Sequence, residues 1–280
     1  KIENTANGPR TSDINGTAII NYGYSAKFCA YHCGRNNYEI LKGRGCEAGT
    51  SVSVDINNPE ALFMSFHLED YNAEIMRVDG RPIKMLAVLK EKKWKGYDVY
   101  SPETGSGMNM VLLHRENMVP YIPVTRKQYL DRSIESLQKF FDKNIKSLEK
   151  PEGLALLMDK KDLEEQKKKQ QKLRDDVIKY YLDELDATTK AGLLGSPAII
   201  PITLAYPDVK TPIFTTSAAG GKMLVTENPA YIKKDIPKYI PQLMIFSWWD
   251  CQCGPDPSVN PYKLYDEKFP IEKLQVMIDK

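Results

Sequence analysis

A chain of 280 residues, 42% hydrophobic and 27% charged, is long enough to bury one large core or two modest ones without depending on disulfides. Its 39 basic and 37 acidic side chains leave a net charge of +2, which excludes the strong positive field that nucleic-acid binding needs, so no nucleic-acid partner is expected. No run approaches the ~18 uninterrupted apolar residues of a membrane-spanning helix, so no transmembrane segment is expected either.

The chain opens at Lys1 with a polar stretch containing Asn4, Asn7, Gly8, Pro9, Ser12 and Gly16, and residues 1–16 are predicted to be a flexible leader. An opening of this kind fits a mature exported chain, so the expected location is extracytoplasmic: periplasmic, secreted, or anchored by a lipid on an upstream cysteine. Immediately after it, "FCAYHCGRNNYEILKGRGC" (28–46) gathers Cys29, His32, Cys33 and Cys46.

Residues 17–124 read as a β-rich region. "ALFMSFHLEDY" (61–71) alternates Leu62, Met64, Phe66 and Leu68 against Ser65, His67 and Glu69, and "MNMVLLHRE" (108–116) behaves similarly. Between them "VDGRP" (78–82) supplies a turn, "IKMLAVL" (83–89) an apolar run and "WKGYDVYSP" (94–102) a short strand, the pattern of an antiparallel sheet in hairpins. Ser65, His67 and Glu69 share one face, but a triad needs a third group from elsewhere to orient its base, so they read as a polar outer face. His114 reads as a satisfied histidine rather than a ligand.

Residues 125–190 are predicted to be a long antiparallel helical hairpin. Leu130, Ile134, Leu137, Phe141, Ile145 and Leu148 fall on three-and-four spacing with Thr125 as the cap; Pro151, Glu152 and Gly153 interrupt; a second helix follows with Leu163, Leu173, Val177, Tyr180, Tyr181 and Leu185 as its apolar positions. "EEQKKKQQK" (164–172) gives the seam nothing apolar, and across 159–176 seven basic residues face six acidic ones, so this part is expected to be a solvated, charge-balanced helix. Arg126 and Lys127 lie in the first turn of the first helix, where the dipole disfavours cations; a carboxylate from another segment or a bound anion would compensate them, which makes Arg126 a candidate ligand-binding residue.

Residues 191–280 return to short apolar runs broken by proline and glycine and are expected to share a core with 17–124, the alternative being two domains split near residue 125. Residues 242–249 lack alternation, which marks a central strand buried on both faces. It ends in "WWDCQCG", where Trp248 and Trp249 should point to opposite faces, one into the core and the other into a groove with Asp250; the three are candidate ligand-binding residues. The fold class is therefore α+β, an antiparallel sheet with a helical hairpin in the middle of the chain.

"VPYIPVTRKQYL" (119–130), "NPAYIKKDIPKYIPQLMIF" (228–246) and the closing "FPIEKLQVMIDK" (269–280) resemble a group of secreted bacterial proteins of unassigned activity. The resemblance covers the residues after Trp94 and implies an exported protein of mixed α and β structure with a helical middle; it implies no activity.

The five cysteines lie outside any diagnostic spacing: Cys29-x-x-x-Cys33, an isolated Cys46 and Cys251-x-Cys253 are not the two-residue knuckles of zinc sites. Disulfides suit them better. A Cys33–Cys46 bond would contribute about 3 kcal/mol if unstrained, and a bridge from Cys251 or Cys253 to the N-terminal cluster is equally compatible. The weaker alternative is a metal set of Cys29, His32, Cys33 and Cys46. Gly105-Ser106-Gly107 lacks the nucleophile-elbow spacing, and Met223 follows Gly220-Gly221-Lys222 where a phosphate loop needs a hydroxyl, so no cofactor is expected. The expected function is that of an exported non-enzymatic binding or scaffold protein, meeting a second copy or another exported protein through the hairpin. The alternatives are an extracytoplasmic hydrolase with a cleft near Trp249 and Asp250, and a metal-binding module.

Overall fold

The computed structural model describes residues 2–14, 17–29, 32–33, 38–39, 49–64, 74–102, 107–149, 159–201, 212–233, 235–237, 240–249 and 269–278; within 2–52 and at 249 it describes the backbone alone. The first strands are β1 (Ile2–Ile14), β2 (Thr17–Cys29), β3 (His32–Cys33), β4 (Tyr38–Glu39) and β5 (Gly49–Ile56). A 3-10 turn (Pro59–Leu62) precedes β6 (Phe63–Met64), β7 (Arg77–Val78), β8 (Arg81–Pro82), β9 (Lys84–Leu86), β10 (Val88–Trp94), β11 (Tyr97–Ser101), β12 (Met108–Leu113) and β13 (Tyr121–Pro123). Helices α1 (Arg126–Glu149) and α2 (Lys160–Lys190) follow, then β14 (Ile199–Ile200), β15 (Lys222–Glu227), β16 (Met244–Trp249) and a short helix α3 (Ile271–Gln275). Antiparallel sheets with a packed helical pair in mid-chain make the fold α+β. The chain divides into two compact units, Lys1–Met64 with Ala87–Tyr121 and Asn228–Lys280, and Ser65–Leu86 with Ile122–Glu227.

The first unit is built on a seven-stranded sheet in the order β1-β2-β5-β16-β12-β11-β10, antiparallel throughout. β16 comes from beyond the helices and lies between β5 and β12, which come from before them. Met244 to Trp248 are all buried, as a strand with neighbours on both sides and no alternation should be. Trp94, Val111, Leu113, Met244, Phe246 and Trp248 form the core on one face, closed by Ile271 and Leu274 of α3. Lys95 (φ 48°) and Gly96 (φ 87°) make the two-residue turn between β10 and β11, a left-handed pair in which Gly96 carries no steric penalty.

Three expectations for this unit are corrected. Residues 2–14, read as a flexible leader, form β1 and pair with β2 across a bulge between Asn7 and Arg10; backbone hydrogen bonding to a neighbouring strand needs no apolar pattern. The run expected to be a strand from Ala61 begins instead with the 3-10 turn, because Pro59 at its start fixes φ in the helical range; residues 65–71 of that run, with Ser65, His67 and Glu69, lie outside the described residues. β12 does not alternate: Met110 and Leu112 are buried along with Val111 and Leu113, since the strand is interior to the sheet. Its polar residue, Asn109, is buried too, accepting from Lys90 Nζ at 2.5 Å and donating to the Gly107 carbonyl at 3.3 Å.

In the second unit β15 pairs with β9 and β14, and the β7–β8 hairpin turns through Asp79 (φ 49°) and Gly80 (φ 77°). α1 and α2 lie side by side. Leu130, Leu137 and Phe141 of α1 and Val177 and Tyr181 of α2 enter one core with Ile200, Ile213 and Leu224. Glu149 at the end of α1 meets Lys167 near the start of α2 at 2.9 Å, and Asp142 meets Arg174 at 3.2 Å, as antiparallel helices require. α2 begins at Lys160, where the Asp159 carboxylate accepts from the Asp162 N–H at 2.8 Å and caps it; residues 150–158, including Pro151, Glu152 and Gly153, lie outside the described residues. Leu173, expected in the seam, is 38% exposed.

Candidate functional site

Arg126 sits where the cap of α1 places it, but every orphan donor of that helix end is already used. The Thr125 N–H donates to Gln128 Oε1 (2.9 Å), the Arg126 N–H to the Ser196 carbonyl (2.9 Å), the Lys127 N–H to the Leu194 carbonyl (3.1 Å) and the Gln128 N–H to Thr125 Oγ1 (3.2 Å). The first and last of these form a reciprocal capping box. The Arg126 guanidinium lies over the Phe214 ring at 4.6 Å, and Lys127 pairs with Asp131 at 2.6 Å. The unfavourable first-turn cations are thus compensated within the chain, by an aromatic face and by a carboxylate one turn on, leaving an incoming anion no backbone donor.

Trp248 is a core residue, 4.9 Å from Trp94 and 5.4 Å from Phe246 between ring centroids. Phe269 stacks on Phe246 at 4.4 Å, and Lys95 Nζ lies 5.6 Å from the Trp94 ring while donating to the Phe269 carbonyl at 2.8 Å. Trp249 pairs with Met108 at the end of β16; its side chain and all of Asp250 lie outside the described residues. The backbones of Cys29, His32 and Cys33 pair with Gly49, Glu39 and Tyr38 respectively, and their side chains, together with Cys46, Cys251 and Cys253, lie outside the described residues, as do both the disulfide and the metal expectation.

The first unit also contains a polar cluster that the sequence did not suggest. Asn57 (φ 55°) accepts through Oδ1 from the Gln242 N–H (2.7 Å) and the Leu243 N–H (3.3 Å) and donates through Nδ2 to the Ile240 carbonyl (3.0 Å). Gln242 in turn accepts from Arg115 Nη2 (2.6 Å) and the Lys233 N–H (2.7 Å) and donates to the Lys233 carbonyl (3.0 Å). The Tyr231 hydroxyl donates to the Gln242 carbonyl at 2.8 Å and accepts from the Arg115 N–H at 3.1 Å, and Arg115 Nη1 donates to the Tyr231 carbonyl. His114 Nδ1 faces the carbonyls of Arg115 (2.6 Å) and Met118 (2.8 Å), so that nitrogen carries the proton. These groups, which in an open cleft would be chemical candidates, are committed to holding backbone in place ahead of β16. Burial, then Glu272, raises the Tyr97 pKa, and burial, then Tyr121, raises that of Tyr100, so both phenols are held neutral.

The hairpin offers the opposite arrangement, charge at the surface. Between 160 and 176 α2 buries no side chain, and ion pairs tie its surface instead: Glu165–Lys169 along the helix, and Lys167–Glu149 and Arg174–Asp142 across to α1. A helix that is polar all round is stable only with such support. Hydrogen bonds from Lys167 to Glu149, and from Lys139 and Arg132 to Glu135, hold both carboxyls below the usual range. Their contribution is present above the unfolded value of about 4.3 and is lost as pH falls through the lower folded values. On going from pH 6 to pH 3, hydrogen-exchange protection factors are therefore expected to fall first in 160–176, while 177–188 stays protected by Val177, Tyr181 and Thr188; a uniform loss along α2 would contradict this.

Comparison with protein-family models, curated proteins and solved structures finds no match for this chain.

Proposed function

We propose that the protein is an exported, non-enzymatic binding or scaffold protein whose helical hairpin carries the partner contacts. The observation behind this reading is the outer half of α2: seventeen consecutive positions, 160–176, without a buried side chain, kept helical by ion pairs along the helix and across to α1. Such a segment adds little to a core, yet it presents a helical row of charges of both signs, a surface suited to steering and registering a partner. The polar clusters of the first unit are occupied with backbone, and Trp248 is in the core, so the hydrolase alternative gains no support from them. The secreted bacterial group that the motifs resemble supports export, as does the cysteine content.

Site-specific photocrosslinking in the producing cell tests the reading, with the crosslinking amino acid at exposed Lys168 of α2 and, as the control, at exposed Lys92 of β10. Crosslinks formed from position 168 and not from 92, on protein recovered outside the cytoplasm, are the expected result. Equal crosslinking from both positions, or protein retained in the cytoplasm, would refute it.

A further inference from the structure

The face of α2 turned away from α1 is a single ridge. Lys161, Glu165, Lys168, Lys172, Asp176, Lys179 and Asp183 follow one another at spacings of three and four and are all exposed, while Val177, Tyr181 and Thr188 point to the opposite side. At 1.5 Å per residue the ridge is about 33 Å long. Its charges are not random in sequence. Reflected about Lys172, every other member meets its opposite: Lys168 falls against Asp176, Glu165 against Lys179 and Lys161 against Asp183. Just off the ridge, Lys169 and Asp175 obey the same reflection.

Resting on the reading of the hairpin as the contact surface, we propose that its partner is a second copy of this chain, with the two α2 ridges crossing antiparallel on a two-fold axis at Lys172. In a two-fold interface each contact occurs twice, so the three ridge pairs become six attractive juxtapositions against a single repulsive one, Lys172 with its own copy. A parallel arrangement in register would set each charge against itself and is disfavoured at every position. The geometry within one copy is compatible with this: Glu165 pairs with Lys169 at 2.9 Å and Lys179 with Asp183 at 2.7 Å, but all four side chains remain more than half exposed and can be bridged by a second copy. Because the ridge is charged rather than apolar, the association is weak and salt-sensitive, a reversible pairing and not a permanent dimer.

Sedimentation equilibrium of the full chain is the test. Self-association that strengthens at low ionic strength and disappears near about 0.5 M salt is expected. Lys168→Glu and Asp176→Lys should each weaken it about tenfold, because either one turns two attractive contacts into two repulsive ones; the double variant should restore it, and so should an equimolar mixture of the two single variants. Lys172→Gln should strengthen it by removing the one repulsive contact. Thermal unfolding of each variant checks that these exposed changes leave the fold intact. A chain that stays monomeric at low ionic strength, single reversals without effect, or a double variant and mixture that fail to recover would overturn the proposal. If position 168 nevertheless crosslinks to a different exported protein, the hairpin reading survives without the self-pairing.

Discussion

Replacing Leu137 and Phe141 together by alanine is expected to cost the second unit about 4–8 kcal/mol, enough to unfold an ordinary domain. Both side chains are nearly inaccessible, at 4% and 1% exposure, and they lie in the core that α1 shares with Val177 and Tyr181 of α2 and with Leu224 of β15. Neighbouring truncations add imperfectly, since they open one shared cavity. Urea unfolding followed by helical circular dichroism measures it, with Leu182→Ala as the control, because Leu182 is 46% exposed and its loss should stay within about 0.5 kcal/mol. A double variant that loses less than about 1 kcal/mol would remove the hairpin from the core.

Asn57→Ala should be the most damaging single polar substitution in the first unit, at about 2–4 kcal/mol. It strands the buried Gln242 and Leu243 N–H groups that converge on Asn57 Oδ1, frees the Ile240 carbonyl, and puts alanine at a φ of 55° that asparagine tolerates better. Asn57→Gly separates the contributions: it relieves the backbone but not the lost hydrogen bonds, so it should recover only part of the stability. Full recovery by glycine would show that the side-chain bonds contribute little.

The parts legible in the sequence are those whose cause is local. The stripe of α1 identifies its buried face because 3.6-residue periodicity depends on no other segment, and the lack of alternation across 242–249 identifies an interior strand because burial on both sides abolishes the alternation. Thr125 is recognisable as a cap from the sequence, and Gln128, three residues on, is the reciprocal partner that the capping-box spacing also marks. Leu173 fits the apolar spacing of α2 yet is 38% exposed, next to an Arg174 that pairs with Asp142 of α1, and no pattern within α2 reports such a neighbour. The Asn57–Gln242–Arg115–Tyr231 cluster could not be anticipated: its members are up to 185 residues apart, and each taken alone resembles an ordinary surface residue. Arg126 illustrates the remaining difficulty. Its awkward position in the helix was legible, but the aromatic ring that accommodates it comes from Phe214 and emerges only with the fold.

The place of β16 in the sheet sets the order in which the chain can mature. A ribosome delivers all of Ile122–Glu227, and so most of the second unit, before it delivers Met244. Until that strand emerges, β1-β2-β5 and β12-β11-β10 are two separate three-stranded pieces, each with an unpaired edge where β16 will lie. The first unit therefore closes only once β16 has been made, through pairings that span almost two hundred residues, such as Ser53 with Ser247. A chain halted before residue 244 would present two half-sheets, each with an unpaired edge open to other chains.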